Sequence, residues 1–511
     1  MSKKNGYTPD VAASLAFFDS DLFKRVQMSG IFSDSKTFAD AIAKQPIAAI
    51  FSQYQLIAKA IDTAGLANFV AEHFVMPNTD EIIVDKPSAD INKQINALWQ
   101  ALEMPADEQI ESSLLPLKNA YVVPGGRFRE IYYWDSYFSA LGLIESDRLD
   151  LVDAMLANFV DLQNRFNCIP NGNRSYYLSR SQPPILGLLV ELLLPYQSEK
   201  QLFIQKYIDA IESEYHFWMQ GSDNLTETNN EHRRVVKMPD GNFLNRYWDD
   251  SATPRPESYR EDIELFHGTE LENSTDFYRN IRAACESGWD FSSRWLTDAR
   301  SLATIRTTRI LPIDLNCLLY KQEVLLGQYY ALLGNDGKSS TYSCCAKARK
   351  GAINKYMWSA EPGFFMDYDL DLHASTGVLS LAGVLPLFTE LANAKQAKKV
   401  ALIIEKDFLQ LGGLVTTCNK TSQQWDAPNG WAPLHWFAVQ GLQHYQHQSL
   451  AQTISQRWLN TVSEYFNSTG KLMEKYNVCQ QNHKAGGGEY HVQEGFGWTN
   501  GVYQAFTASS K

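Results

Sequence analysis

Pro124-Gly125-Gly126-Arg127-Phe128-Arg129-Glu130-Ile131-Tyr132-Tyr133-Trp134-Asp135-Ser136-Tyr137-Phe138 is the densest run of chemistry in this chain. The paired glycines allow a sharp turn or a close approach of backbone to a ligand. Directly after them, Arg127, Arg129, Glu130 and Asp135 are set among six aromatic rings. Charged residues are seldom fully buried without partners, so an ordinary core segment does not mix these types so closely. A sugar pocket does. Rings stack on the apolar faces of a pyranose, while arginine and carboxylate groups hydrogen-bond its hydroxyl fringe.

Five other segments carry the same mixture. Asn171-Gly172-Asn173-Arg174 leads to Ser179-Arg180-Ser181-Gln182, and Asn245-Arg246-Tyr247-Trp248-Asp249-Asp250 leads to Arg255-Pro256-Glu257. Glu286 to Trp295 contains Gly288-Trp289-Asp290-Phe291 and, four residues after the aspartate, Arg294. Gln424-Trp425-Asp426-Ala427-Pro428-Asn429-Gly430-Trp431 is the fourth. The last comprises Glu474-Lys475-Tyr476, Gly486-Gly487-Gly488-Glu489-Tyr490 and Gly495-Phe496-Gly497-Trp498. Recurrence across six segments carries more weight than any lone Trp-Asp pair, whose ordinary use is a structural hydrogen bond or a helix cap.

Between these segments the sequence reads as helix. Phe203, Tyr207, Ile211, Tyr215 and Trp218 share one helical face, as do Leu151, Met155, Asn158, Phe159 and Leu162. Asp314 is positioned to cap a helix running through Leu318, Leu325 and Tyr329 to Gly334. Leu391–Leu411 and Leu450–Phe466 repeat the pattern, and Glu81–Asp85 is the best short strand. The expected scaffold is many helices whose long aromatic loops gather at one end to form a site. Residues 1–60 read as an amino-terminal helical extension packed on a catalytic domain over 61–511.

Composition narrows the partners. A net charge of −12 disfavours nucleic acid and anionic membrane surfaces, and a neutral small molecule suits it better. The apolar runs Ile185–Leu194 and Gly377–Phe388 are too short to span a bilayer and read as buried helix. Seven cysteines without CxxC spacing suggest neither a disulfide framework nor a zinc site. With neither a disulfide framework nor a signal-peptide core after Met1, the expected compartment is the cytoplasm, with a periplasmic form whose leader has been removed as the less favoured alternative. His444 and His447 read as a solvated helix face, and Asp367, Asp369 and Asp371 lack the glycine and terminal glutamate of a calcium loop.

Hydrolysis of a glycosidic bond needs two carboxyl groups, one to protonate the leaving oxygen and one to activate water or attack the anomeric carbon. Composition alone does not choose the pair. Asp290 lies between Trp289 and Phe291, which favour its protonated form if they desolvate it, whereas Arg294 one turn away acts in the opposite sense.

At these segments the chain closely resembles the trehalases, glycoside hydrolases that cleave α,α-trehalose. Pro124–Phe138 and Gln424–Pro433 resemble the two family signatures along their whole length. Family-like segments extend from Phe32-Ser33-Asp34-Ser35-Lys36 to Trp498-Thr499-Asn500-Gly501. The resemblance implies an all-α fold, an (α/α)6 barrel with the site at one end, and an inverting mechanism without metal or organic cofactor. It implies Asp290 as general acid and Glu474 as general base. Implied sugar contacts are Arg127, Trp134, Asp135, Asn171, Arg180, Ser181, Gln182, Arg255, Glu257, Gly288 and Glu489, with Phe128, Tyr132 and Trp431 as walls. The implied partners are trehalose and water, acting on a monomer of the bacterial, unregulated type. His491 stands where the family usually has proline, and the glycine run is short, which bears on the loop carrying Glu489. A related helical-barrel glucosidase, a phosphorylase and an inactive trehalose-binding protein stay open as alternatives.

Overall fold

The computed structural model describes residues 8–77, 84, 87–108, 110–480, 485–488 and 490–509. Among them, twelve helices form two concentric rings. The inner ring consists of Tyr133–Glu145, Leu186–Leu193, Ile313–Leu332, the short Leu385–Phe388, Ala432–His444 and Gly497–Ser509. Each packs on the next, and the last closes against the first. The outer ring consists of Ile91–Leu102, Leu149–Phe166, Lys200–Trp218, Asp336–Tyr356, Ala394–Ile403 and Gln448–Thr469. This is the (α/α)6 barrel that the sequence implied.

Sequence explains which helix goes where. Inner helices are enclosed on every side and are buried all round, as over Tyr133–Leu143 and Gly497–Phe506. Outer helices need only one apolar face. On Lys200–Trp218 that face is the expected stripe of Phe203, Tyr207, Ile211, Tyr215 and Trp218, all buried. The closing contact of the ring depends on glycine. A Cβ added to Gly142 would lie 2.6 Å from the Gly501 Cα, so the first and last inner helices approach to backbone distance.

Some local expectations differ. Asp314 lies in the first turn of Ile313–Leu332 but Pro312 holds the cap position, and the Asp314 carboxylate turns instead to Arg294. The expected helix over 391–411 is α-helical only over Ala394–Ile403, continuing through a wider turn at Ile404–Phe408. Of the strand expected over Glu81–Asp85, all but Val84 lies outside the described residues.

A second apolar cluster lies beside the barrel. The helices Pro9–Asp19, Asp21–Met28, Lys36–Ala39, Ile47–Ile57 and Thr63–His73 contribute Phe17, Phe23, Phe38, Tyr54 and Phe69 to it. Tyr132, Tyr176 and Tyr177 from the barrel loops complete it. Among the described residues no helix is long and apolar enough to cross a membrane.

Candidate active site

Four of the six aromatic segments run directly into the amino-terminal ends of inner helices. Tyr132 precedes Tyr133–Glu145, the 171–182 segment precedes Leu186–Leu193, Trp425–Trp431 precedes Ala432–His444, and Tyr490–Phe496 precedes Gly497–Ser509. A closed ring therefore delivers distant stretches of sequence to one end, where they line a single cavity.

Asp290 and Glu474 both face that cavity. So do Arg127, Phe128, Tyr132, Trp134 and Asp135 of the first segment, and Asn171, Arg180 and Gln182 of the second. Arg255, Glu257, Gly288 and Trp431 complete the expected lining. Ser181 is buried beside the cavity without lining it, and its N–H donates to Glu286 Oε1 at 2.9 Å. Glu489 lies outside the described residues.

On the base side, strand Asn429–Trp431 pairs antiparallel with Lys475–Asn477, placing Trp431 opposite Lys475. This ribbon fixes Glu474, one residue before it. Glu474 Oε1 accepts from the Tyr490 hydroxyl at 2.8 Å, and Oε2 accepts from Lys475 Nζ at 3.0 Å. Trp425 and Trp431 stack face to face with centroids 3.9 Å apart, building a flat aromatic floor.

On the acid side, Gly288 has φ +74, a left-handed conformation that favours glycine. A Cβ there would come within 2.8 Å of the Trp134 indole, so the turn carrying Asp290 can press against that ring only without a side chain. The Asp290 carbonyl accepts from Gln424 Nε2. Arg294 does not serve the site. It packs between Trp289 and Trp295 and bonds both Asp314 and Asp367 at 2.6–2.9 Å. Asp367, Asp369 and Asp371 are each paired with an arginine, to Arg294, Arg306 and Arg309 respectively.

The remaining wall is a charge lattice. Arg180 donates to Asn171 Oδ1 at 2.9 Å and to Glu257 Oε1 at 2.8 Å, with its guanidinium over the Tyr177 ring. Arg255 is fixed by Asp262 and donates to Cys285 Sγ at 3.3 Å. Burial raises the Glu257 carboxyl, but Arg180, Arg255 and Arg282 outweigh it and hold the pKa below the ordinary value. Asp135 is the reverse case. Burial first, then the charges of Glu474 and Asp290, push its carboxyl well above the usual range. Burial likewise pushes the Cys285 thiol up to about 12. Glu130, as prominent in sequence as Asp135, instead accepts from Lys36 and Tyr132 below the cavity wall.

Sequence reasoning did not single out several lining residues. Lys36 opens the amino-terminal helix Lys36–Ala39 and Asp34 lies in the bend before it, 3.6 Å from Arg127. Tyr177, Trp425, Tyr490 and Trp498 were inside or beside the quoted segments, so their residue type was the available signal. Cys285 and Glu261 gave none.

A helical double ring whose end cavity gathers carboxyl groups within an arginine-aromatic wall is the architecture of a glycoside hydrolase of the (α/α)6 class. Comparison with known proteins narrows this. The sequence matches the trehalase family over residues 30–509. It is 44% identical to the periplasmic trehalase of Escherichia coli over 482 residues, covering 94% of this chain and 85% of that protein. The periplasmic trehalase of Citrobacter koseri is also 44% identical, over 94% of this chain and 84% of that protein. In fold, the neutral trehalase Nth1 from Saccharomyces cerevisiae superposes with a TM-score of 0.64 at 24% identity, covering 96% of this chain and 95% of that one. The GH63 mannosylglycerate hydrolase from Thermus thermophilus gives 0.54 at 16% identity, covering 82% and 100%. The chain belongs to the trehalase family, inverting glycoside hydrolases whose reaction is the hydrolysis of α,α-trehalose to two molecules of glucose.

The expectation of a cytoplasmic protein is corrected by the same finding. These relatives are named periplasmic trehalases, which points to the periplasm. The cysteine argument for the cytoplasm had no force, since seven unpaired thiols are compatible with either compartment.

Proposed function

We propose that Asp290 is the general acid and Glu474 the general base of trehalose hydrolysis. Asp290 protonates the oxygen bridging the two anomeric carbons. Glu474 removes a proton from a water attacking from the opposite face, yielding one α-glucose and one β-glucose. The observation that carries this reading is that the two carboxyl groups meet in one cavity from segments far apart in sequence. Their closeness is felt by Asp135 and Tyr490, each of which responds to both charges. Inversion requires a gap of roughly 6.5–9.5 Å between the two carboxyl groups, wide enough for the water.

In this reading Arg127, Arg180 and Arg255 fix sugar hydroxyls and Glu257 accepts from one. Asp135 hydrogen-bonds another, and Phe128, Tyr132, Trp134 and Trp431 form the walls. Glu489 keeps the sugar-contact role implied by the family, whereas Ser181, outside the cavity lining, holds Glu286 instead. The amino-terminal extension over 1–60 completes the site of the catalytic domain over 61–511, by way of Asp34 and Lys36. The chain acts as a monomer in this reading. Proton NMR of the first turnovers tests the chemistry: equal α- and β-glucose supports it, whereas α-glucose alone rules out inversion.

A further inference from the structure

Two residues next to the site have no assigned role, and their geometry is specific. Lys475 and Gln424 are both almost wholly buried. Lys475 Nζ donates to Glu474 Oε2 at 3.0 Å and to Gln424 Oε1 at 2.8 Å. The other end of the same amide, Gln424 Nε2, donates to the main-chain carbonyl of Asp290. An unbroken chain of hydrogen bonds thus runs from the carboxylate assigned as base to the backbone of the residue assigned as acid. Its orientation admits no exchange of roles: an ammonium only donates, so the amide must turn its oxygen to Lys475 and its nitrogen to Asp290.

The chain is held on both flanks. Lys475 Nζ lies over the Trp431 ring at 4.9 Å and the Tyr490 ring at 5.4 Å. A Cβ on Gly488 would come 2.7 Å from Gln424 Oε1, so the glycine run lets the loop cover the amide closely. Tyr490 occupies the other carboxylate oxygen of Glu474. The carboxylate is therefore fixed through both oxygens, and through Lys475 it is fixed relative to the turn of the acid.

We infer that Lys475 and Gln424 are a positioning pair that holds the Glu474 carboxylate at a set place relative to the Asp290 turn, so that one water fits between base and sugar. This rests on the acid and base assignment above. A misplacement of the base by about 1 Å is enough to cost on the order of 100-fold in rate.

The test compares Glu474→Ala, Lys475→Met and Gln424→Met by steady-state trehalose hydrolysis, thermal melting, and turnover with added azide. Azide is an anionic nucleophile that needs no base. It forms the new bond to the anomeric carbon while the electron pair of the breaking bond passes to the bridging oxygen, which Asp290 protonates. Lys475→Met should lower kcat by about 100-fold with KM within about threefold, and azide should restore turnover with β-glucosyl azide as product. Gln424→Met should lower kcat by about 10-fold in the same way. Lys475→Met that melts normally yet keeps most of kcat, or that azide does not restore, overturns the inference. If Lys475→Met does not fold, Gln424→Met decides: full kcat in that variant overturns it. Failure of azide to restore Glu474→Ala instead overturns the base assignment itself, which separates the two readings.

Discussion

Asp290 and Arg294 are four residues apart in one aromatic segment, yet the fold places them in different kinds of surroundings. Asp290 is half-buried and faces the cavity. Arg294 is fully buried and turned away, its guanidinium closed by two carboxylates and sandwiched by two indoles. The lattice around Arg180 is built from the same groups but left open: Glu257 Oε2 is buried with no hydrogen-bond partner among the described residues, beside the cavity. Saturation is what separates the two. A cluster whose donors and acceptors are matched internally stabilises the fold, and one with an unmatched group facing space is ready for a ligand.

The sharpest break between the two surroundings is expected at Asp290. Asp290→Asn should lower kcat by about 1000-fold or more, as loss of a general acid does, and leave the melting temperature near that of the parent. Glucose release and thermal melting check this. Turnover close to the parent would remove Asp290 from the acid role.

Arg294 should show the opposite split. Arg294→Met leaves Asp314 and Asp367 buried without their cation, at a cost of about 3–5 kcal/mol. Denaturant unfolding should show that loss, while kcat per folded molecule stays within about threefold of the parent. A stable Arg294→Met enzyme without activity would mean that the clamp belongs to the site after all.

Sequence reasoning put Arg294 beside Asp290 for a simple reason. A separation of four residues brings side chains together only on a helix, and here the chain after Asp290 is a short turn leading into Ser293–Trp295. The helical stripes were legible because burial on one face leaves a period of 3.6, as Phe203 to Trp218 shows. The carboxyl pair was legible only through resemblance, since Asp290, Asp135, Glu130 and Asp426 all have aromatic neighbours in sequence. What distinguishes them is spatial. Asp426 accepts from Ser292, Ser293, Thr417 and Thr421, and Glu130 from Lys36 and Tyr132. Lys36, Ser292 and Ser293 come from distant segments, so no local pattern announces them. Asp34 and Lys36 lay in a family-like segment, but nothing local in sequence tied them to the cavity they line.

Glu214 sharpens the comparison, as a buried carboxyl group whose hydrogen bonds come from neutral donors. It accepts from the Tyr133 hydroxyl and from Gln322 Nε2. Burial, only partly offset by those donors, pushes its pKa from 4.5 to about 8. A folded-state value above the unfolded one means that the folded protein holds the proton more tightly. Its contribution to stability is complete below 4.5 and is lost as pH rises to about 8. The expected slope in that window is about 1.4 kcal/mol per pH unit. Denaturant unfolding between pH 5 and pH 8 should be flatter for Glu214→Gln; an unchanged slope would show that the loss comes from other groups.

The smallest effect is expected at the open position itself. Glu257→Gln keeps an oxygen for Arg180, whose donation at 2.8 Å needs only one acceptor. What changes is the other end, where an acceptor buried without a hydrogen-bond partner at the cavity wall becomes a donor. A sugar hydroxyl donating there loses its partner, which is worth roughly 1.5 kcal/mol, so KM should rise about tenfold. The melting temperature should fall by less than for Arg294→Met, because Arg180 keeps an amide oxygen as acceptor and the charge of Asp249 beside it. A drop in melting temperature as large as that of Arg294→Met, with KM unchanged, would make the Arg180 lattice a second closed clamp, and saturation would then no longer separate site from scaffold.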